Sequence, residues 1–391
     1  MGNSNINSLD PRKFLSIGEM REKQIAATSG AEHKAFPPAN TLAERLHPSR
    51  QYMKVEKVID HTFGRKSYIL VPDKERGTKE CAYFDAGQYL YVFVEKDGIK
   101  TGRPYSVSSS PEDARRGFYR LTVRAVEGGL VSNYIAENWT EGASVELSDP
   151  CGSFTYEPLR DAEHLVCVSG GSGITPFVSL AKAVAEGSED CRLTLICGFK
   201  TREEILFEEE LGAISASSDK IKVVYVLSDE SCEGYEEGNI SAELIRKYAI
   251  GDYSLFVCGS QAMYAYVKGE IAKLSLPRRR VRFECFGELH GALGCGRGEI
   301  RMKVWQSGEV REVVCSADDT ILQSLEKHGF ATAARCRSGE CGYCHSSLRS
   351  GSVIIPPEAD HRRLADEKFG KIHPCCTYPD GDIEIEIPAA R

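Results

Sequence analysis

A chain of 391 residues has room for two or three domains, each with its own core. Its 49 Lys and Arg against 57 Asp and Glu leave a formal charge of −8, a mild acidic excess that excludes a dedicated nucleic-acid binder, which needs a clustered basic surface. No run approaches the ~18 apolar residues of a membrane-spanning helix, so no membrane insertion is expected.

The elements follow in chain order. Residues 1–50 are polar, contain Pro37-Pro38 and show only short helical patterns around 17–27 and 41–46, so they form an N-terminal extension of unknown role with too little apolar content for a core. The start lacks the apolar stretch of an export signal, and 15 cysteines in such a chain point to a reducing cytoplasm, where thiols stay free or bind metal. From 51 to 156 the segments 54–60, 67–71, 89–94 and 119–125 are short, β-rich and separated by turn residues, as in an antiparallel β-barrel. From 160 to 286 strands at 164–168, 192–197, 222–226, 254–258 and 281–285 alternate with helices at 176–185, 203–211, 241–248 and 261–274, the pattern of a doubly wound α/β domain. Within it, Arg278-Arg279-Arg280 reads as a solvated loop. Five glycines among residues 287–298 predict a flexible linker. Residues 299–391 restart with strands at 300–305 and 310–314, a helix at 320–327 with Asp319 as N-cap, a cysteine-rich loop and a last strand at 383–387, a third domain of α+β type.

Most cysteines, such as Cys167, Cys197 and Cys315, sit singly in apolar strands and read as small buried hydrophobes. The C-terminal ones differ. Cys336, Cys341 and Cys344 have the C-x4-C-x2-C spacing of a plant-type [2Fe-2S] loop, which needs a fourth cysteine downstream. Thiolates are the soft, charged donors that an iron–sulfide core requires, and Gly339 and Gly342 let the backbone wrap tightly with amides turned to sulfur. A zinc site would more often pair C-x2-C with a second such pair or with histidines. Downstream stands Cys375-Cys376-Thr377-Tyr378-Pro379-Asp380-Gly381-Asp382. This resembles plant-type ferredoxins, in which the fourth ligand is followed by three residues, a proline, two residues and an aspartate. The resemblance implies a β-grasp fold here and selects Cys375, with Cys376 as the alternative.

In the barrel region Ala86-Gly87-Gln88-Tyr89 precedes Arg103-Pro104-Tyr105-Ser106, and Gly128-Gly129-Leu130-Val131-Ser132 follows. An arginine can pair with a phosphate, an aromatic ring can stack on a flavin, and a small hydroxyl can approach without blocking it. These segments resemble the flavin motifs of the ferredoxin–NADP reductase superfamily. The resemblance places Arg103 and Pro104 at the flavin, stacks Tyr105 on the ring and brings Ser106 to the reacting nitrogen. Gly128, Gly129 and Ser132 open a helix over the dinucleotide pyrophosphate, which implies FAD instead of FMN. Asp149-Pro150-Cys151-Gly152 departs from that family's Gly-Pro-x-Gly, though the turn is expected to survive.

Gly170-Gly171-Ser172-Gly173-Ile174-Thr175-Pro176 follows a strand and opens a helix, so its backbone can receive a pyrophosphate. It resembles the superfamily's nicotinamide module, and Cys258-Gly259-Ser260-Gln261-Ala262-Met263 resembles its C-G-P-x-x-M motif. The resemblance implies that Gly170, Gly171, Gly173, Thr175 and Gly259 bind NAD(P)H and that Cys258 lies beside the nicotinamide. Ser260 replaces the usual proline and puts the rigidity of that loop in doubt. Glu284 and Phe286 are expected to close over the flavin. After the third strand Ser228-Asp229-Glu230 puts an acidic residue where NADPH users often carry arginine, so Asp229 favours NADH, with Lys200 and Arg202 as counterweights.

The resemblance covers residues 52–391 and extends to the reductase components of oxygenase systems. It implies an NAD(P)H-dependent oxidoreductase whose catalytic residues are Tyr105, Ser106 and Cys258, passing electrons from NAD(P)H to FAD to [2Fe-2S] and on to a separate protein, such as a terminal oxygenase or another reductase or demethylase component. Two other readings stay open on the sequence. One is a self-sufficient oxidase or reductase of a small acceptor; the other is a redox sensor, which leaves both nucleotide motifs unexplained.

Overall fold

The computed structural model describes residues 20–24, 26–27, 42–43, 46–288 and 299–389. The chain divides into two compact units, Met1–Arg45 and Leu46–Arg391. In the first, residues 20–24, 26–27 and 42–43 are helical; the rest of the predicted extension lies largely outside the described residues.

The second unit begins with a six-stranded antiparallel sheet of β1 (Gln51–His61), β2 (Arg65–Pro72), β3 (Tyr89–Lys96), β4 (Ile99–Ser106), β5 (Tyr119–Arg124) and β6 (Ser144–Cys151), in the order β4-β3-β6-β1-β2-β5. An antiparallel bridge between Val107 and Leu121 joins the two ends and closes a barrel. Alternation drives the closure, because Leu70, Leu90, Leu121 and Leu147 all point inward to one apolar core. The sequence patterns missed β4 and β6 as strands. Both carry the motif residues, whose Pro, Gly and Asp content masks β character.

Next comes a parallel sheet of β7 (His164–Gly170), β8 (Arg192–Phe199), β9 (Ile221–Leu227), β10 (Glu236–Glu237), β11 (Tyr253–Cys258) and β12 (Val281–Glu284), in the order β10-β9-β8-β7-β11-β12. Helices Thr175–Ala185 and Glu208–Ser217 cover one face, burying Phe177, Val178, Leu180 and Leu211; Ala242–Tyr248 and Gln261–Ala272 cover the other with Ile245, Val267 and Ile271. The chain reverses direction across the sheet between β7 and β11, so a crevice opens at their carboxyl ends, the place where such sheets bind ligands. The helix expected at 203–211 needs correction. Residues Arg202–Glu204 form a 3-10 turn, Phe207 adopts a left-handed φ of 61°, and the helix starts at Glu208.

The last sheet contains β13 (Ile300–Gln306), β14 (Glu309–Cys315), β15 (Ser346–Ser350), β17 (Lys371–Ile372) and β19 (Ile383–Glu386), ordered β14-β13-β19-β15-β17, with a small pair, β16 (Val353–Ile354) and β18 (Tyr378–Pro379), at its side. In this sheet β13 and β19 run parallel and the other pairs antiparallel. The helix Ile321–Lys327 packs Ile321 and Leu325 on Met302, Val304 and Ile385, completing an α+β domain of β-grasp type. Its N-cap is Thr320, not Asp319. Thr320 Oγ1 accepts from Gln323 N at 3.1 Å while Gln323 Oε1 accepts from Thr320 N at 2.9 Å, a capping box; Asp319 pairs with Lys327 instead.

The Ala86-Gly87-Gln88-Tyr89 segment has a backbone reason for its glycine. Gly87 has φ +100°, and a Cβ there would stand 2.1 Å from the Phe154 carbonyl oxygen. Gly117 has a similar φ of +102° with nothing within 4 Å. Gly87→Ala is therefore expected to cost about 2–4 kcal/mol in a denaturant titration, against about 1 kcal/mol for Gly117→Ala. Equal costs would show that the Phe154 contact is easily relieved.

Candidate active site

A cleft of about 1160 Å³ runs between the barrel, the carboxyl edge of the parallel sheet and the helix Ile321–Lys327. Its walls contain Arg103, Pro104, Tyr105, Ser106, Gly128, Gly129 and Ser132 from the barrel, and Gly170, Gly171, Gly173, Thr175, Cys258, Gly259 and Phe286 from the parallel-sheet region. The sequence-predicted flavin and nicotinamide residues are thus brought to one cavity from widely separated segments, with Asp229 the exception.

At the sheet edge, two loops interlock because both lack side chains. A Cβ on Gly173 would lie 2.2 Å from the Cys258 carbonyl oxygen, and one on Gly170 or Gly259 would strike Met263 Sδ at 2.4 or 2.3 Å. Neither the turn Gly171–Ile174 nor the helix Thr175–Ala185 has a side-chain cap, so their leading N–H groups remain for an anion such as a pyrophosphate. Ser260, standing where relatives have proline, is a working substitute. Its hydroxyl accepts from Met263 N at 3.3 Å and caps the helix Gln261–Ala272. Ser228 and Lys200 also line the cleft. Asp229 does not. It is exposed at the rim, its Oδ1 accepting from Ser228 Oγ at 2.6 Å.

On the barrel side, β4 presents Tyr105 half-buried to the cleft and Ser106 buried beside it. Helix Leu130–Asn138 has Gly129 as N-cap with no side-chain bond, which again leaves amides for a phosphate. Ser132 Oγ instead accepts from Val126 N at 3.3 Å. Ser106 Oγ lies 3.2 Å from Glu284 Oε2, and Phe286 meets Tyr89 edge-on with ring centres 5.0 Å apart. Burial pushes the Glu284 carboxyl well above the usual range, and it likewise pushes the Cys258 thiol well up. Ser106, Glu284 and Cys258 therefore form a neutral, water-poor wall.

The predicted cluster cysteines converge. Cys344 Sγ is 3.5 Å from Cys375 Sγ, and the thiols of Cys341 and Cys375 both reach Cys336, whose pKa they pull well below that of a free thiol. Backbone N–H groups of Ser338 and Cys341 donate to Cys336 Sγ at 3.5 and 3.4 Å, and Tyr343 N donates to Cys341 Sγ at 3.5 Å. These donors would stabilise thiolate and cluster charge. Cys376 Sγ donates to the His373 carbonyl at 3.4 Å, and its thiol also reaches that of Cys375. Among the described residues no three His, Cys, Asp or Glu side chains surround a single-ion site. A two-iron core with two thiolates on each iron fits the pairs Cys336–Cys341 and Cys344–Cys375.

Three regions differ from the sequence reading. The linker expected from residue 287 is not free at its start: Gly287 N donates to Cys336 O at 3.2 Å and Glu288 is buried, while residues 289–298 lie outside the described residues. Gln323, Glu326 and Lys327 of the third domain also line the cleft, a contribution no motif announced. The turn expected at Asp149-Pro150-Cys151-Gly152 is instead the end of strand β6, with Cys151 paired to Tyr89 and only Gly152, at φ +104°, leaving the strand; it gains a partner, as Arg335 Nη2 donates to Asp149 Oδ1 at 2.9 Å and Nη1 contacts Cys151 Sγ.

A barrel, a doubly wound nucleotide domain and a four-cysteine β-grasp domain around one cleft define an NAD(P)H-dependent flavin and iron–sulfur oxidoreductase. Residues 76–156 match the oxidoreductase FAD-binding domain family, 167–269 the oxidoreductase NAD-binding domain family and 306–380 the 2Fe-2S iron-sulfur cluster binding domain family. The ferredoxin reductase component of 3-ketosteroid-9-alpha-monooxygenase from Rhodococcus rhodochrous is 28% identical over 89% of this chain and 100% of its own length. The reductase of the glycine betaine monooxygenase from Pseudomonas aeruginosa is 24% identical, over 86% of this chain and 95% of that protein. The solved structure of phthalate dioxygenase reductase covers 87% of this chain and 98% of its own, with TM-score 0.63 at 24% identity, and so shares the fold. The chain carries the FAD-binding, NAD-binding and 2Fe-2S domain families in that order, and the relatives that it matches over most of their length are reductase components of oxygenase systems.

Because Glu284 keeps its proton above the usual glutamate value of 4.5, the folded chain holds a proton that the unfolded chain has lost. Its contribution to stability therefore falls as pH rises through and beyond that range. Glu284→Gln should flatten this dependence. Its stability relative to wild type should grow as pH rises above the usual glutamate value, by up to about 1.4 kcal/mol per unit, read from denaturant midpoints. Parallel curves for the two proteins would mean that Glu284 is ionised in the fold.

Proposed function

We propose that this chain is the reductase component of a multi-protein system. It takes hydride from NADH and delivers single electrons through its cluster domain to a separate protein of the terminal-oxygenase kind. The observation that carries the reading is the shared cleft, because a helix of the cluster domain forms part of the wall that holds the flavin and nicotinamide motifs. Bound FAD supplies two-electron hydride chemistry and one-electron release, and the cluster supplies one-electron export.

The chain's own residues do the aligning. Arg103 and the amides at the start of helix Leu130–Asn138 hold the flavin phosphates, with Gly128, Gly129 and Ser132 shaping the approach. Tyr105 and Pro104 pack on the flavin ring, Ser106 faces its reacting edge, and the neutral Glu284 and Cys258 exclude water there. Gly170, Gly171, Gly173, Thr175 and Gly259 receive the nicotinamide nucleotide, and Phe286 closes over the flavin. Asp229, paired with Ser228 at the rim, repels a 2′-phosphate, which supports NADH, although Lys200 in the wall opposes that preference. Cys336, Cys341, Cys344 and Cys375 ligate the cluster.

Anaerobic titration with NADH should bleach the flavin and raise the EPR signal of a reduced [2Fe-2S] cluster, with NADPH needing about tenfold more nucleotide or worse. A flavin that bleaches while the cluster stays silent would break the relay. For the ligand choice, Cys375→Ser should abolish the cluster's visible absorption and Cys376→Ser should leave it intact. The reverse outcome would move the fourth ligand to Cys376.

A further inference from the structure

Arg337, next to Cys336 in the cluster loop, has a fully buried side chain and a left-handed φ of 58°. A long cation so placed needs partners, and it has them in two carboxylates. Nε donates to Glu288 Oε1 at 2.9 Å, joined by Nη2; Nη1 and Nη2 donate to Glu326 Oε1 and Oε2 at 2.6 and 2.9 Å. Tyr91 Oη stands 3.4 Å from Nη1. Both carboxylates continue toward the flavin site. Glu288 Oε2 lies 3.7 Å from Arg103 Nη2, and Glu326 Oε2 accepts from Thr101 Oγ1, whose oxygen accepts in turn from Arg103 Nη1 at 3.2 Å.

Glu288 and Glu326 line the cleft, whereas Arg337 does not. The other charged groups that the cluster domain places in this wall, Asp319 and Lys327, neutralise each other at 2.6 Å. Arg103 thus borders two buried carboxylates whose two charges are partly balanced, by one guanidinium, from outside the cavity. Without that balance, they would both compete for Arg103 and repel an anion beside it, an effect strong in a low-dielectric site.

We propose that Arg337 is a positioning residue for the flavin site: by engaging Glu288 and Glu326 it leaves Arg103 free for the FAD phosphates, so flavin retention depends on the docked cluster loop. This rests on the reading above that Arg103 meets those phosphates. Linkage makes the dependence mutual, with bound FAD favouring the docked loop by the same factor.

The test compares cluster-loaded, FAD-stripped wild type, Arg337→Met and the double variant Arg337→Met/Glu288→Gln, measuring FAD rebinding by flavin fluorescence and cluster integrity by visible circular dichroism. Arg337→Met should raise the FAD Kd about ten- to a hundredfold. Adding Glu288→Gln should return it to within about threefold of wild type, since the net charge beside Arg103 is then that of wild type, and NADH affinity should change by less than about twofold in both. Unchanged FAD affinity with an intact cluster overturns the proposal, and so does a loss that Glu288→Gln fails to rescue, because a merely structural defect would persist. Should Arg337→Met lose its cluster, Arg337→Lys decides. It keeps the charge but not the fork that spans two carboxylates, so its FAD Kd should rise by a smaller factor, and a wild-type Kd overturns the proposal. A wild type that binds no FAD would instead sink the flavin reading itself.

Discussion

Arg337, buried between Glu288 and Glu326, stands where the iron–sulfur domain meets the barrel through Tyr91 and Thr101. Removing three charges from water is costly, and the cost is recovered only when every donor and lone pair finds a partner. Here the partners come from all parts of the unit. Glu288 also accepts from Gln323 of the cluster domain at 2.7 Å, and its carbonyl accepts from Gln261 of the nucleotide domain at 2.8 Å. Such a network tolerates one relative arrangement of the three domains and penalises the rest, since any displacement strands a buried charge. Domains joined through a glycine-rich segment are thereby held in register by electrostatics at the segment's first residues.

A second constraint acts at the carboxyl edge of the parallel sheet. The glycines there are dictated by contact between the two loops as much as by the ligand, because Gly170, Gly173 and Gly259 each abut Met263 or the Cys258 backbone. The nucleotide loop and the loop carrying Cys258 are therefore one packed body. Burial beside it keeps Cys258 and Glu284 neutral. A cavity lined this way aligns a hydride donor and acceptor without offering a competing base, which suits chemistry that needs alignment more than proton transfer.

How much of this can be read from the sequence follows from what each feature looks like in one dimension. Parallel strands are legible because both faces are buried and they run as apolar blocks, and the cluster loop because thiol spacing is rigid. Helix boundaries are less so. Phe207 in a left-handed conformation breaks the pattern at 203–211, and Thr320 with Gln323 outcompetes Asp319 as a cap because it satisfies two amides at once. Asp229 reads as a nucleotide contact from its place after a serine, and the fold leaves it exposed at the rim, bonded to that serine. Least visible are Arg337, Glu288 and Glu326. Each is a single charge in a spacer, a linker or a helix, and only the fold brings residues 49 and 11 apart onto one guanidinium.

The departure at Asp149 and Cys151 belongs to the same logic. Arg335 bonds that strand end while Arg337 reaches into the opposite network, so the two arginines flanking Cys336 tie its loop down on both sides. Tyr89 sits between, its strand paired to Ser106 on one side and Cys151 on the other. Cys336 is buried under these contacts, whereas Cys341, five residues on, is exposed. The loop thus has one buried thiol and one exposed thiol at the same time. A cluster held by both would be open to solvent while docked, so presenting an edge to a protein acceptor requires no release of the Arg337 network. The order that the buried charges impose is then compatible with electron export.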